Sequence, residues 1–399
     1  MDPVANPFSP GAGTPPPAFV GREELIESYR VALRRTIAGR PGKSIMPIGL
    51  RGVGKTVLLN RFDQMAHDEG LVGAFIEAPE TGDFEHLLAA RLRSILLGLD
   101  SGPVSHAVKR ALGILKSFSY NLSDGSSISL NVDAIAGSAD SGVLAEDVTD
   151  LLVAVGEAAG DRGRGLLLAI DEVQYLRADE LAALITAIHR TVQLGLPVIL
   201  VGAGLPQLPG LAGNAKSYAE RLFDFPEIGS LDDEDATAVL RMPAKAQGVE
   251  FSDDALERLV EFTQGYPYFL QEWGYHVWNA APRSPIALDN VTLAARDVQR
   301  RLDENFFRVR MDRLTPAERQ YLSAMAELGP GPHRSGDIAA MLDVKVESVA
   351  PRRSTLIKKG MVYSPAHGDT AFTVPMFDDF LRRSQLEQAA GTRPLRERT

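Results

Sequence analysis

Eight residues, Gly49-Leu50-Arg51-Gly52-Val53-Gly54-Lys55-Thr56, constrain this chain more than any other stretch. They fit the spacing of a glycine, four residues, then Gly-Lys-Thr. Ile45-Met46-Pro47-Ile48 reads as a short buried strand entering the turn, and Val57-Leu58-Leu59-Asn60-Arg61-Phe62 as the first turns of a helix leaving it. A strand, a glycine-rich turn and a helix start make a cradle for polyphosphate. Glycines let backbone N–H groups converge, and the helix N-terminus adds a partial positive charge. In this reading the backbone at Gly49, Arg51, Gly52, Val53, Gly54 and Val57 lines the cradle. Lys55 reaches the β- and γ-phosphates, and the Thr56 hydroxyl holds Mg²⁺. A glycine-rich turn matching by chance is the competing reading, and the flanking strand and helix argue against it.

A second signal lies at Arg164 to Glu172. Leu166-Leu167-Leu168-Ala169-Ile170 is a continuous apolar run, as a parallel strand covered on both faces requires. It ends in Asp171-Glu172, at the carboxyl edge where open α/β sheets place ligands. Asp171 is expected to engage Mg²⁺ directly or through water, and Glu172 to orient and polarise the attacking water. Strands often run into acidic turns, so the pair means little alone. Following a phosphate loop in the same chain, it is specific.

Composition narrows the alternatives. A chain of 399 residues exceeds one ordinary core and implies two or three domains. With no cysteine there is no disulfide, thiolate zinc site or cysteine nucleophile, and the histidines lack metal-ligand spacing. The start of the chain does not read as a signal peptide. The uncharged run from Thr191 to Ala215 is broken by Pro197, Pro206 and Pro209, so it reads as strand and loop, not a membrane span. A cytoplasmic protein without membrane contact is expected. A net charge of −10 disfavours nonspecific coating of nucleic acid but leaves room for a local basic patch.

In order, residues 1–17 are Pro/Gly-rich and suggest a flexible arm. A helix follows Phe19-Val20-Gly21-Arg22, a strand runs from Leu71 to Ile76, and residues 84–118 read as two helices. Ser123 to Asp140 suggests a small hairpin or exposed loop, and Leu144 to Ala158 a helix. After the Asp-Glu strand come a helix at Ala182 to Val192 and a buried strand at Val198 to Val201. This alternation predicts an α/β fold, a three-layer domain with a parallel sheet over residues 18–229. Arg221 near its end is read either as a surface charge or as a γ-phosphate sensor.

Residues 230–312 change to acidic helix starts followed by apolar-periodic stretches, an all-α lid domain. Its aromatics around Gly265-Tyr266-Pro267-Tyr268-Phe269, with Trp273 and Trp278, read as core before a base-stacking platform. Thr315-Pro316-Ala317-Glu318 opens the last domain, residues 313–387, with a capping box. Three helices and a hairpin then describe a winged helix-turn-helix, followed by a tail over 388–399. The third helix carries Lys345, Arg352, Arg353, Lys358 and Lys359 against the single acid Glu347, the charge of a helix lying beside DNA phosphates. Winged helices also dock proteins, which stays open.

Together these motifs resemble the AAA+ and STAND branches of the P-loop ATPases, particularly replication-initiator types. The resemblance implies that Phe19-Val20-Gly21-Arg22 lies against adenine, that Gly49–Thr56 is the Walker A loop and Asp171-Glu172 the Walker B pair. It places Val201-Gly202-Ala203-Gly204 in the sensor-1 region and Gly265-Tyr266-Pro267 as the Gly-x-Pro element, with Pro267 near the nucleotide. Two departures count: Ala203 and Gly204 stand where a polar sensor is usual, and Pro267 near where a sensor-2 arginine is usual. Both imply slow hydrolysis and a nucleotide-gated switch; a motor is disfavoured because no pore loop is evident. The expectation is an ATPase that binds ATP, ADP and Mg²⁺, with assembly into a homo-oligomer on ATP binding, and a winged helix on duplex DNA. The alternative is a STAND-type signalling ATPase whose winged helix makes protein or autoinhibitory contacts.

Overall fold

The computed structural model describes residues 1–11, 13–80, 82–100, 105–120 and 132–391. They form two compact units. The first contains Gly21–Gly49 and Gly54–Ile228, and the second contains Met1–Val20, Leu50–Val53 and Gly229–Thr399. Residues 123–131 of the stretch expected to be a small hairpin or exposed loop, Ser123 to Asp140, and the tail beyond 391 lie outside the described residues.

The first unit is built on five parallel strands: β1 (Ser44–Ile45), β2 (Val72–Glu77), β3 (Leu166–Asp171), β4 (Val198–Gly202) and β5 (Phe223–Asp224). Their order is β2-β3-β4-β1-β5. Helices α1 (Glu23–Ile37), α2 (Lys55–Asp68), α3 (Phe84–Leu99), α4 (His106–Tyr120), α5 (Leu144–Asp161), α6 (Ala178–Gln193), α7 (Leu208–Ala215) and α8 (Ala219–Leu222) accompany it. β3 and β4 are buried at every position, which is why both read as unbroken apolar runs. β1 is shorter than its apolar sequence suggests, because Pro47 has no N–H to donate. Parallel bridging resumes at Ile48, to Gly204 and to Glu227.

The strand order puts β4 between β1, which feeds the phosphate loop, and β3, which ends in Asp171. The register pairs Ile45 with Val201, Ala169 also with Val201, and Asp171 with Glu77 on β2. All four carboxyl ends therefore lie along one edge.

The second unit begins its helical part with α9 (Asp233–Ala246), α10 (Asp253–Thr263), α11 (Pro267–Ala280) and α12 (Leu288–Leu302). Asp232 caps α9 by accepting the Asp235 N–H at 2.8 Å. A six-residue π-helix, Asp303–Arg308, continues α12 and passes into α13 (Val309–Met311). Then come α14 (Pro316–Glu327), β6 (His333–Arg334), α15 (Ser335–Met341), α16 (Val346–Lys358), β7 (Val362–Tyr363), β8 (Asp369–Phe372) and α17 (Phe377–Gly391). The capping box at α14 forms as expected: Thr315 N–H donates to Glu318 Oε2 at 2.7 Å, and Glu318 N–H to Thr315 Oγ1 at 3.3 Å. β7 and β8 pair antiparallel, and β6 adds to β8.

The aromatics of α11 are core, as read: Phe269, Trp273 and Trp278 are all buried. The N-terminal arm, by contrast, is packed. Phe8 is only 3% exposed and meets Phe251 and Trp278 edge-on. A Cβ on Gly274 would come within 2.7 Å of its ring, so that glycine makes the room. Trp278 Nε1 donates to Asp2 O, and Asn6 Nδ2 to Tyr275 O and Asn279 Oδ1.

Candidate nucleotide site

Gly52 and Gly54 sit at φ +90° and +94°, which L side chains rarely adopt, and nothing lies within 4 Å of the direction a Cβ on Gly54 would take. The turn thus leaves an open cradle at the start of α2. Lys55 is 6% exposed, and its Nζ donates to the carbonyl of Gly49 at 2.8 Å. An ammonium buried at the mouth of a glycine turn is suited to receiving a phosphate.

Thr56 Oγ1 donates to Asp171 Oδ2 at 2.6 Å. Asp171 is 4% exposed, and burial raises its pKa despite the Thr56 hydrogen bond. A hydroxyl and a buried carboxylate at this separation offer hard oxygen donors of the kind Mg²⁺ takes alongside phosphate oxygens. Lys55 and Thr56 of the expected Walker A loop therefore lie in one unit with Asp171, and the donor set fits the metal.

Glu172 follows with backbone φ 53° and ψ 40°, left-handed for a non-glycine residue. Its N–H donates to Asp171 Oδ1 at 2.8 Å. One of its carboxylate oxygens accepts a hydrogen bond from Gln174 Nε2, while Gln174 Oε1 accepts the Leu205 N–H at 3.0 Å. The motifs of the sequence do not mark Gln174 as a site residue. Its signal was available: an amide two residues past the strand-ending acids.

The sensor-1 segment contributes backbone in place of a side chain. Gly49 N–H donates to Gly204 O at 3.1 Å, Gly204 N–H to Pro47 O at 3.2 Å, and Val173 N–H to Ala203 O at 2.9 Å. Residues 203–204 thus bond to both the phosphate-loop strand and the turn after Glu172.

Of the other expected residues, Gly21 has φ +75°, and Arg22 Nη1 donates back to Gly21 O at 3.0 Å beside the start of α1. Phe19, Val20 and Pro267 are half-buried. Arg221 is exposed on the four-residue α8, and among the described residues no hydrogen bond or ion pair links it to the phosphate loop.

Leu50–Val53 belong to the second unit, where they meet the Gly-Tyr-Pro turn. Tyr266 Oη donates to Arg51 O at 2.5 Å, and Tyr268 N–H to Gly52 O at 3.2 Å. A Cβ on Gly52 would lie 3.1 Å from both tyrosines. Arg51 N–H donates to Thr373 O at 3.0 Å, just past β8. Tyr268 stacks on Phe306 of the π-helix with centroids 4.6 Å apart, and the Arg310 guanidinium lies 3.9 Å from the Phe306 centroid. Burial, then the positive charge of Arg51, lowers the Arg310 pKa. Neither Arg310 nor Thr373 was visible from sequence, since each acts through long-range contacts.

The basic face assigned to α16 is smaller than its charge count. Arg353 Nε donates to Thr370 Oγ1 at 2.7 Å, and Nη2 to Ser364 Oγ at 2.6 Å and Asp369 O at 2.7 Å. Lys359 Nζ bonds Glu318 Oε2 at 2.8 Å and Arg313 O at 3.0 Å. Both cations brace the fold. Lys345 and Lys358 are exposed and Arg352 is half-buried.

No curated protein matches the chain. Residues 304–381 match a domain of unknown function (DUF8462), and residues 18–201 match the AAA ATPase domain family. Among solved structures, a Walker-type ATPase of Pyrococcus abyssi is 16% identical, covering 91% of this chain and 96% of its own, with a TM-score of 0.55. At that identity the likeness is one of fold. The RuvB Holliday junction branch migration motor of Thermotoga maritima is 17% identical, with coverage of 91% and 95% and a TM-score of 0.47. Cdc6p from Pyrobaculum aerophilum is 15% identical, with coverage of 97% and 99% and a TM-score of 0.48. No helix among the described residues is long and apolar enough to cross a membrane. Over residues 18–201, then, the chain is similar to the AAA ATPase domain family and has the parallel-sheet fold of a P-loop ATPase.

Proposed function

We propose that this protein is an ATP-binding switch that hydrolyses Mg·ATP slowly and couples nucleotide state to its C-terminal portion, read as a winged helix. Lys55 and the loop N–H groups take the phosphates, Thr56 and Asp171 hold Mg²⁺, and Glu172 polarises the attacking water. Mg²⁺ supplies charge neutralisation at the phosphate oxygens. One observation carries the coupling: Leu50–Val53 pack with the C-terminal half, with Arg51 bonded to Thr373 and Tyr266. Nucleotide that reorders the loop acts directly on those bonds.

The outward partner has two readings. Duplex DNA is supported by Lys345, Arg352 and Lys358 on and beside α16. A protein or autoinhibitory contact is favoured by Met341, Val344 and Val346, exposed at 47%, 37% and 48% at the α15–α16 turn, and by the internal engagement of Arg353 and Lys359. A gel-shift salt titration with and without ATP, comparing wild type with Arg352→Ala/Lys358→Ala, separates them. DNA binding predicts a weaker complex in the variant and a log–log salt slope shallower by about 0.9 for each phosphate no longer neutralised. No shift in any nucleotide state assigns the surface to protein.

A further inference from the structure

We propose that Gln174 is the positioning residue for Glu172 and ties that carboxylate to occupancy of the phosphate loop. The inference rests on the ATPase reading of the site.

The geometry begins with the left-handed backbone at Glu172, which caps a 3₁₀ turn over Val173–Tyr175. That turn folds residue 174 back so that its amide meets the Glu172 carboxylate. The direction of the amide is dictated by its other partner. Leu205 offers a main-chain N–H, which can only donate, so Oε1 of Gln174 faces Leu205 and the NH₂ group faces Glu172. Gly204 makes the approach possible: a Cβ there would stand 2.8 Å from Oε1 of Gln174 and 3.0 Å from Leu208 Cδ2.

Gly204 also bonds the residues that enter the phosphate loop. Its carbonyl accepts from Gly49 N–H and its N–H donates to Pro47 O. The carbonyl of Gly49 in turn accepts from Lys55. Lys55, Gly49, Gly204, Leu205, Gln174 and Glu172 therefore form one continuous path, in which the side chains of Lys55, Gln174 and Glu172 are joined through the main chain of Gly49, Gly204 and Leu205. A phosphate that draws Lys55 away from Gly49 acts on its first link, and the last link holds the carboxylate that faces the water. This accounts for the small residues at 203 and 204. A polar side chain is not needed there, because Gln174 reaches across to the Leu205 N–H.

Two substitutions test the assignment. Gln174→Glu keeps the length and the acceptor for Leu205 but cannot donate to Glu172 when ionised, and Gln174→Met keeps the length without charge. Both are expected to reduce single-turnover ATP hydrolysis about ten- to hundredfold, the scale of a misplaced reacting group, while the ATP dissociation constant stays within about twofold. Added to Glu172→Gln, Gln174→Met is expected to cause no further loss, because it acts only through that carboxylate. Wild-type hydrolysis in both single variants, or a multiplied loss in the double variant, overturns the proposal and leaves the ATPase reading standing. A Glu172→Gln variant at wild-type rate also overturns the proposal and moves the base to another acid, whereas a wild type that binds ATP but does not hydrolyse it overturns both.

Discussion

Tyr266→Phe removes one oxygen from the grip on the phosphate loop and leaves the ring, 5.4 Å from Phe269, in its packing. The hydroxyl is buried, which pushes its pKa up and keeps it a neutral donor. Its one described acceptor is the Arg51 carbonyl, at 2.5 Å. Losing such a bond costs about 0.5–1.5 kcal/mol net, with a further penalty for the carbonyl left short of a donor. Since that carbonyl is part-buried, we expect a total of about 1–2 kcal/mol, or roughly five- to thirtyfold in the folded ratio. The midpoint for unfolding of the C-terminal unit in urea should fall accordingly. The same bond fixes the main chain just ahead of the N–H groups proposed to take the phosphates, so ATP and ADP affinities should fall together in calorimetry, by no more than that factor. Unchanged midpoint and affinities in the folded variant would show that this hydroxyl does not hold the loop. Loss confined to ATP would move its action to the γ-phosphate.

Lys55→Ala should abolish measurable ATP binding with the circular dichroism unchanged; wild-type affinity would sink the site. Glu172→Gln should retain Mg·ATP and lose about 10²-fold or more in single-turnover hydrolysis. A rate near wild type would transfer the role to another acid, with Glu77 nearest by register. Arg221→Ala should slow hydrolysis or ATP-dependent assembly and spare ADP binding. Equal loss of both nucleotides would indicate a folding role instead.

What was legible in the sequence was local. The apolar runs of β3 and β4, the capping box at Thr315–Glu318 and the Gly-Lys-Thr turn each state their conformation within a few residues. What was hidden depends on chain returning from far away. Tyr266 meets a residue 215 positions earlier, and Asn6 one 273 positions later. Pro/Gly-rich composition suggests a flexible arm, but Phe8 fitted against Gly274 of α11, with the bonds of Asp2 and Asn6 to the same helix, seats it. Helical periodicity placed Arg353 on a basic face. No periodicity reveals that the hairpin offers Thr370, Ser364 and the Asp369 carbonyl to that same guanidinium.

The small residues at 203 and 204 bear on rate as well as on geometry. In the sheet order β4 separates the strand feeding the phosphate loop from the strand carrying Asp171, so its exit must bond to both sides. Ala203 and Gly204 do so with main-chain groups, and Gly204 has no spare volume, since even a Cβ meets Gln174 and Leu208. A side chain long enough to touch a γ-phosphate from residue 204 would displace the amide that holds Glu172. In the proposed reading the site keeps the bond to its base and forgoes a direct sensor at that residue. Fewer donors aimed at the transferring phosphoryl group mean less stabilisation of its developing charge. That favours a protein whose working quantity is the lifetime of its ATP-bound state.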